Sequence, residues 1–266
     1  MKPVADFLDG RLEPKTFERD SACERHGAYI ERGGSLTGNL ERTIWFGCPQ
    51  CNRERRERDE LGERARREHE RQARIEARLN ASGIPLAFRD RSFDNFVATT
   101  PEQQHALKVA RSFAEDFWTK HLPAGRFLVF GGNTGTGKSH LALAILQHVL
   151  RHSTAMYLDA MAVIRRVRAT WRRDAPQSEE EVLHTLGYTI DLLAIDEVGV
   201  QRGTEDEQAI VFDIINRRCR DLRPTILLTN LGGEAFAEFL GPRVMDRLME
   251  RATTVPFLWG SYRRKS

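Results

Sequence analysis

Gly132-Asn133-Thr134-Gly135-Thr136-Gly137-Lys138-Ser139 is the stretch whose reading decides the fold of this chain. It matches G-x-x-x-x-G-K-[ST] in full. The spacing has a chemical reason. Glycines permit the backbone angles that turn successive N–H groups inward as an anion nest. A helix opened by Lys138 and Ser139 adds its positive N-terminal end. The Lys138 ammonium can reach β- and γ-phosphates, and the Ser139 hydroxyl can ligate Mg²⁺. Such a loop should follow a strand and open a helix. Here Phe127-Leu128-Val129-Phe130 reads as a short apolar strand, and residues 138–152 read as a helix. A plain glycine-rich turn would lack that setting. Residues Gly132 to Ser139, with His140 beside them, form the expected nucleotide-binding set.

The second half of the site is expected downstream. Leu192-Leu193-Ala194-Ile195-Asp196-Glu197 is an apolar strand ending in two acids. Asp196 is expected to hold Mg²⁺ through water, and Glu197 to act as general base on an attacking water. Alone, an Asp-Glu strand end simply faces solvent; after a phosphate cradle it favours hydrolysis over phosphoryl transfer to a small molecule. A further strand ends in Thr229-Asn230, where Asn230 would orient the lytic water or touch the γ-phosphate. A turn residue is the plain alternative there.

Between and around these motifs, strands and helices alternate. Strands are expected at 127–130, 155–158, 190–195, 225–228 and 253–257. Helices are expected at 102–119, 138–152, around 160–172, at 205–221, and as two short pieces at 234–240 and 242–250. Alternation of this kind predicts an α/β domain with a mostly parallel sheet and helices on both faces.

Residues 53–79 differ in texture, with 10 Arg against 8 Asp+Glu. Glu60/Arg64, Glu63/Arg67 and Glu70/Arg74 stand four apart with the acid first, the favourable order on a helix. Only Leu61, Ile75 and Leu79 interrupt the run, so it cannot be a core helix. It reads as a solvated linker helix, or as an arm that contacts a partner or nucleic acid. Ser82-Gly83-Ile84-Pro85 breaks it. Further upstream, Cys23-x₂-His26 and Cys48-x₂-Cys51 are separated by 21 residues, a ligand set that zinc prefers. Two close pairs bridged by a hairpin resemble a zinc ribbon, and a structural Zn²⁺ would explain how so short a region folds. Independent free cysteines are the alternative, and Cys219 is most simply a packing residue. The expected organisation is a zinc module at 1–52, a charged helical arm at 53–83 and an ATPase domain at 84–266.

Composition bounds the rest. The 266 residues are 30% charged and 40% hydrophobic, and 41 Lys+Arg against 38 Asp+Glu leave a net charge of only +3. No global basic field therefore forces a nucleic-acid reading. The cysteines are not spaced as a secreted disulfide framework. No apolar run approaches the ~18 residues of a membrane span, so a cytoplasmic protein is expected.

Four stretches together resemble the AAA+ ATPases of the DnaC-type helicase loaders and the related IstB-type transposition ATPases. They are Gly131 to Ala142, Asp191 to Gly199, Leu227 to Asn230, and Arg243-Val244-Met245-Asp246-Arg247-Leu248. Ile84-Pro85 and Ser92-Phe93-Asp94-Asn95-Phe96 look like the entry to that ATPase domain, and Trp259-Gly260-Ser261-Tyr262-Arg263 like its end. The resemblance implies a three-layer αβα sandwich around a five-stranded parallel sheet. It implies ATP, with Arg247 as the arginine finger reaching a neighbouring subunit's ATP and Arg263 as the sensor-2 arginine of its own site. Arg243 lies one turn before the finger. It implies that the helix from Met161 to Trp171 touches single-stranded DNA through Arg165, Arg166, Arg168 and Trp171; a solvated helix with one buried Trp fits the same residues. A loader of this type would form an open ring or spiral of its own copies on a hexameric replicative helicase of the DnaB type. The zinc module departs from the better-known DnaC proteins. An IstB-type transposition helper, and a zinc-dependent DNA-binding adaptor using ATP as a switch, are the rival readings.

Overall fold

The computed structural model describes residues 15–35, 43–199 and 205–262. Two compact units divide the chain, Met1–Gln72 and Ala73–Ser266.

In the first unit, β1 (Lys15–Cys23) and β2 (Gly27–Ser35) pair antiparallel, and β3 (Ile44–Trp45) pairs with β2. The hairpin turn closes at Cys23↔Gly27, where Gly27 takes φ 76°, a left-handed value that glycine adopts without steric cost. Gly47, at φ 72°, turns the chain from β3 into helix α1 (Pro49–Ala81). The helix read from Arg53 onward thus begins at Pro49, and proline is at home in a first turn because the missing N–H would have no partner there. No residue of α1 is buried. Glu60–Arg64 and Glu63–Arg67 pair across one turn as expected, but Glu70 pairs backward with Arg66 at 3.5 Å rather than forward with Arg74. Exposed pairs of this kind each contribute a few tenths of a kcal/mol, about 0.3–0.5.

The second unit is built on β4 (Phe127–Gly132), β5 (Ala155–Asp159), β6 (Leu192–Asp196), β7 (Thr225–Thr229) and β8 (Ala252–Phe257), in the order β5-β6-β7-β4-β8 and all parallel. Alternate strand residues point to opposite faces. Phe127, Val129, Leu193, Ile195 and Leu227 pack against α5 (Ala160–Arg168), α6 (Glu179–His184), α7 (Glu205–Arg220) and α8 (Gly233–Arg251). Leu128, Phe130, Ala194, Ile226 and Leu228 pack against α2 (Pro101–Glu115) and α4 (Lys138–Val149). The three-layer αβα sandwich with five parallel strands is therefore the fold. Among the described residues, no helix is long and apolar enough to cross a membrane.

Differences from the sequence reading are local. The helix expected at 102–119 is α2, followed by a π turn at Phe117–His121 and the short α3 (Leu122–Ala124). The helix around 160–172 is α5 with a tight 3₁₀ turn at Ala169–Trp171. The two pieces at 234–240 and 242–250 form one element broken at Gly241, which sits at φ 71° before Pro242. Helix α6 was not anticipated, although its Ser178/Glu181 capping box is written in the sequence.

Arg218 on α7 is wholly buried. Its guanidinium donates to Thr225 Oγ1 at 2.7 Å and to the backbone oxygens of Leu186 (2.6 Å), Ile190 (3.0 Å), Asp191 (3.2 Å) and Pro224 (2.6 Å). Burial pushes its pKa down to about 9. One side chain thus ties the turn after α6 to the entrances of β6 and β7. Arg218→Met would leave several buried carbonyls without a donor, so a loss of about 3 kcal/mol or more is expected. Urea unfolding checks this: the midpoint should fall at unchanged slope, whereas an unchanged midpoint would mean these bonds contribute nothing.

Candidate functional site

The phosphate cradle leaves the C-terminal end of β4, the sheet's second strand from the β8 edge. Gly132, Gly135 and Gly137 take φ of 136°, 78° and 93°. The C-terminal segment holds the loop from behind. Asn133 N donates to Phe257 O (3.0 Å), Tyr262 N to Gly135 O (2.9 Å), and Trp259 Nε1 to Thr136 O (3.0 Å). A side chain at Gly132 would run into the Phe257 carbonyl. Gly137 caps α4 without any side-chain bond, which leaves the first amides of that helix free for an anion.

Lys138 is buried and folds back over the loop. Its Nζ donates to Gly132 O (2.7 Å), Asn133 O (2.7 Å) and Asn230 Oδ1 (2.8 Å). Burial lowers its pKa, and the charge of Asp196 works in the opposite direction. The structure thus joins Lys138 and Asn230, two residues singled out far apart in the sequence. Ser139 and Asp196 also meet: Ser139 Oγ donates to Asp196 Oδ2 at 2.7 Å. A hydroxyl and a buried carboxylate side by side on a cleft are hard oxygen donors of the kind Mg²⁺ takes. Glu197 N donates to Asp196 Oδ1 at 2.7 Å, and Glu197 sits at φ 58°. That left-handed value is unfavourable for a residue with a Cβ and is held because Val198 N bonds Leu228 O (2.9 Å) and Thr229 Oγ1 bonds Val198 O (2.7 Å). The exposed Glu197 side chain lines the same cleft, of about 490 Å³, as Lys138, Ser139, Asp196 and Asn230. His140 lines it too, with Nε2 at 2.8 Å from Ser92 O and its ring edge-on to Phe96.

Two features of this cleft were missed in the sequence. Tyr157 on β5 donates its hydroxyl to Asp196 Oδ2 at 2.5 Å. Burial, then the charge of Asp196, push its pKa up. The far end of the cleft is walled by Phe88, Phe96, Val97 and Tyr262, with Tyr262 OH donating to Val97 O at 2.6 Å. Tyr157 sits in no motif, and the aromatic wall draws Phe96 and Tyr262 from segments read in the sequence only as the entry and end of the domain; each is formed only when distant segments meet.

The remaining expected residues lie elsewhere. Arg247 on α8 is exposed and donates to Asn216 Oδ1 at 3.3 Å; it does not line the cleft, and neither does Arg243. Arg263 lies outside the described residues. On α5, Arg165 pairs with Asp159 at 3.5 Å and Arg166 reaches Met156 Sδ at 3.4 Å. Arg168 pairs with Glu207 at 2.9 Å, and Trp171 Nε1 donates to Glu179 at 2.6 Å. Trp171 is exposed rather than buried, but both it and Arg168 are engaged by carboxylates.

In the first unit, Cys23, His26, Cys48 and Cys51 present ligand atoms that all lie within 4.8 Å of one another. His26 Nδ1 lies 3.7, 3.5 and 3.3 Å from the sulfurs of Cys23, Cys48 and Cys51, and Cys23 Sγ lies 3.6 Å from Cys51 Sγ. Four donors around zinc at Zn–S of about 2.3 Å have tetrahedral edges of about 3.8 Å, so the cage fits that ion. The ring's other nitrogen meets Glu54 Oε1 at 3.0 Å, the carboxylate partner that orients a ligating imidazole. Glu54 was hidden within the charge run. Backbone bonds from Arg25 and His26 lower the Cys23 thiol to about 6.

Comparison with known proteins places this geometry. Residues 58–266 match the family described as IstB-like ATP binding protein. The chain belongs to this family. Similar proteins include the Escherichia coli (strain K12) protein YdaV, itself called uncharacterized, 38% identical over 73% of this chain and 76% of that protein. The replicative helicase loader DnaC of the same organism is 35% identical over 72% of this chain and 77% of its own length. Among solved structures, the DnaC helicase loader superposes with a TM-score of 0.57 at 22% identity, covering 65% of this chain and 99% of that one. AMPPCP-bound DnaA from Aquifex aeolicus gives 0.51 at 20% identity, covering 62% and 50%. These superpositions place the second unit in the AAA+ fold. This IstB-like protein is thus an ATP-binding ATPase of that class, with a Cys/His cluster ahead of the matched region.

Metal analysis of the purified protein should find stoichiometric zinc. Its removal by a chelator should make the first unit protease-sensitive while the second keeps its thermal transition. A protease-resistant, metal-free first unit would contradict the cage.

Proposed function

We propose that the chain is an ATP-driven loader of a hexameric replicative helicase onto single-stranded DNA. The observation that carries this reading is a nucleotide cleft furnished for turnover within a chain 35% identical to a named replicative helicase loader. The relatives named as replicative helicase loaders favour a loader over a transposition helper, and a cleft with Glu197 and Asn230 beside Lys138 favours turnover over a passive ATP switch.

The residues divide the work. Phosphates displace the loop carbonyls from Lys138, whose ammonium then neutralises β- and γ-oxygens, while the free amides of α4 and the glycine loop hold the rest. The purine has an apolar wall in Phe88, Phe96 and Val97. Ser139 and Asp196 would hold Mg²⁺, which when bound supplies charge neutralisation at the phosphates. Glu197 takes the proton of the attacking water, and Asn230 holds that water or the γ-phosphate in line. Arg247, which bonds Asn216 and does not line its own cleft, would complete a neighbour's site, and Arg263 would contact phosphate in its own. The zinc module and α1 would form the helicase-contacting arm. Arg165, Arg166 and the exposed Trp171 are the proposed DNA contacts; Arg168 serves there only if it leaves Glu207.

Helicase recruited to single-stranded DNA is the direct readout. The chain should raise the amount of replicative helicase on DNA in the presence of ATP. Lys138→Ala should abolish both nucleotide binding and loading. Glu197→Gln should keep ATP binding while lowering turnover by about 100-fold or more. Failure to bind or load the helicase would overturn the proposal, and undiminished turnover in Glu197→Gln would remove Glu197 as the base.

A further inference from the structure

Asp196 is a carboxylate with all its freedom removed. It is 8% exposed, its Oδ1 accepts from Glu197 N at 2.7 Å, and its Oδ2 accepts from both Ser139 (2.7 Å) and Tyr157 (2.5 Å). Ser139 has a second task in the reading above, as a metal ligand. When its oxygen turns to that task, Tyr157 is the side chain left to hold Asp196.

The fold fixes where the Tyr157 hydroxyl lies. Tyr157 pairs with Ala194 in the parallel ladder, two residues before Asp196 on β6. On the other side of this edge strand its N–H donates to Ser82 O at 2.8 Å. Gly83, at φ 74°, lets the chain pass so close that an added Cβ would sit 2.5 Å from the Tyr157 carbonyl. The ring packs against the buried cluster of Leu128, Phe130 and Leu141. Strand edge, neighbouring strand and core therefore all hold one residue, whose hydroxyl is a donor aimed at the carboxylate, with the Ser139 hydroxyl also in its hydrogen-bonding reach. Phenylalanine would fill the same space without that bond.

We propose that Tyr157 is a positioning residue of the nucleotide site, its hydroxyl setting the Asp196 carboxylate in the orientation that receives the divalent cation. The proposal rests on the ATP-site reading given above. It makes Tyr157 act through Asp196 and not on nucleotide: the triphosphate is held by the glycine loop and Lys138, to which Tyr157 makes no hydrogen bond, and the Ser139 hydroxyl beside it serves the cation.

Tyr157→Phe separates the two. Binding of a fluorescent ATP analogue is measured first in EDTA and then as Mg²⁺ is titrated, with the unfolding midpoint measured alongside. Metal-free affinity and midpoint should match the unsubstituted chain, while the Mg²⁺ concentration for half-maximal tightening should rise roughly tenfold, the usual effect of removing a hydrogen-bond partner of a metal ligand. Superimposable Mg²⁺ curves would overturn the proposal, as would an equal loss of affinity with and without metal. A double-substitution cycle gives a second readout: with Asp196→Asn in place, Tyr157→Phe should add no further shift, and an additive shift would overturn it. If the unsubstituted chain binds no nucleotide, the site reading itself falls and the Tyr157 proposal with it.

Discussion

Two opposite charges are buried where the parallel strands end, and the design of the site follows from how each is satisfied. Lys138 is 6% exposed and Asp196 is 8% exposed. A buried charge is tolerated only when hydrogen bonds replace the water it has lost. Lys138 spends its three protons on two loop carbonyls and Asn230; Asp196 fills both oxygens from Ser139, Tyr157 and the Glu197 amide. The loop carbonyls on Lys138 and the Ser139 hydroxyl on Asp196 are partners that a triphosphate or a cation would displace or recruit, whereas Tyr157 and the Glu197 amide stay in place. The loop itself is held from behind by the C-terminal segment, so the nucleotide enters a site already shaped for charge.

The sheet makes this possible. With β4, β6 and β7 parallel and adjacent, their C-terminal ends bring Gly132, Asp196 and Asn230 to one edge from widely separated positions in the chain. Helix α4 then leaves that edge with uncapped amides. The helices on the other face owe part of their placement to Arg218, which satisfies carbonyls at the entrances of β6 and β7. The loops that line the cleft at one end of the strands thus stand on a hydrogen-bonded cluster at the other.

Much of this was legible because it is carried by local pattern. The cradle, the acid pair after β6 and the polar end of β7 announce themselves by spacing and by the apolar runs before them, and the five strands follow from alternation. The cysteine pairs announce their cage in the same way. Tyr157 was not legible, because a tyrosine in a strand looks like any core aromatic until the neighbouring strand is placed. Glu54 was lost in a run of charges that are mostly exposed. Helix α6 was written in a capping box but has too few residues to show a period. Pairing of Glu70 with Arg66 instead of Arg74 shows the limit of spacing rules on an exposed helix, where alternative partners differ by little energy.

In the proposed function one chain supplies a phosphate site and the next supplies its arginine. Arg247 lies on α8, bonded to Asn216, and does not line the cleft that its own chain forms. Mixing two inactive variants tests this most directly. Glu197→Gln retains the arginine but lacks the base, and Arg247→Ala retains the base but lacks the arginine. Each alone should turn over ATP poorly in the presence of single-stranded DNA. An equimolar mixture should recover roughly a quarter of the unsubstituted activity, the share of head-to-tail interfaces that join an intact base to an intact arginine. A mixture that stays as inactive as its components would contradict the claim and leave Arg247 without a role in a neighbour's site.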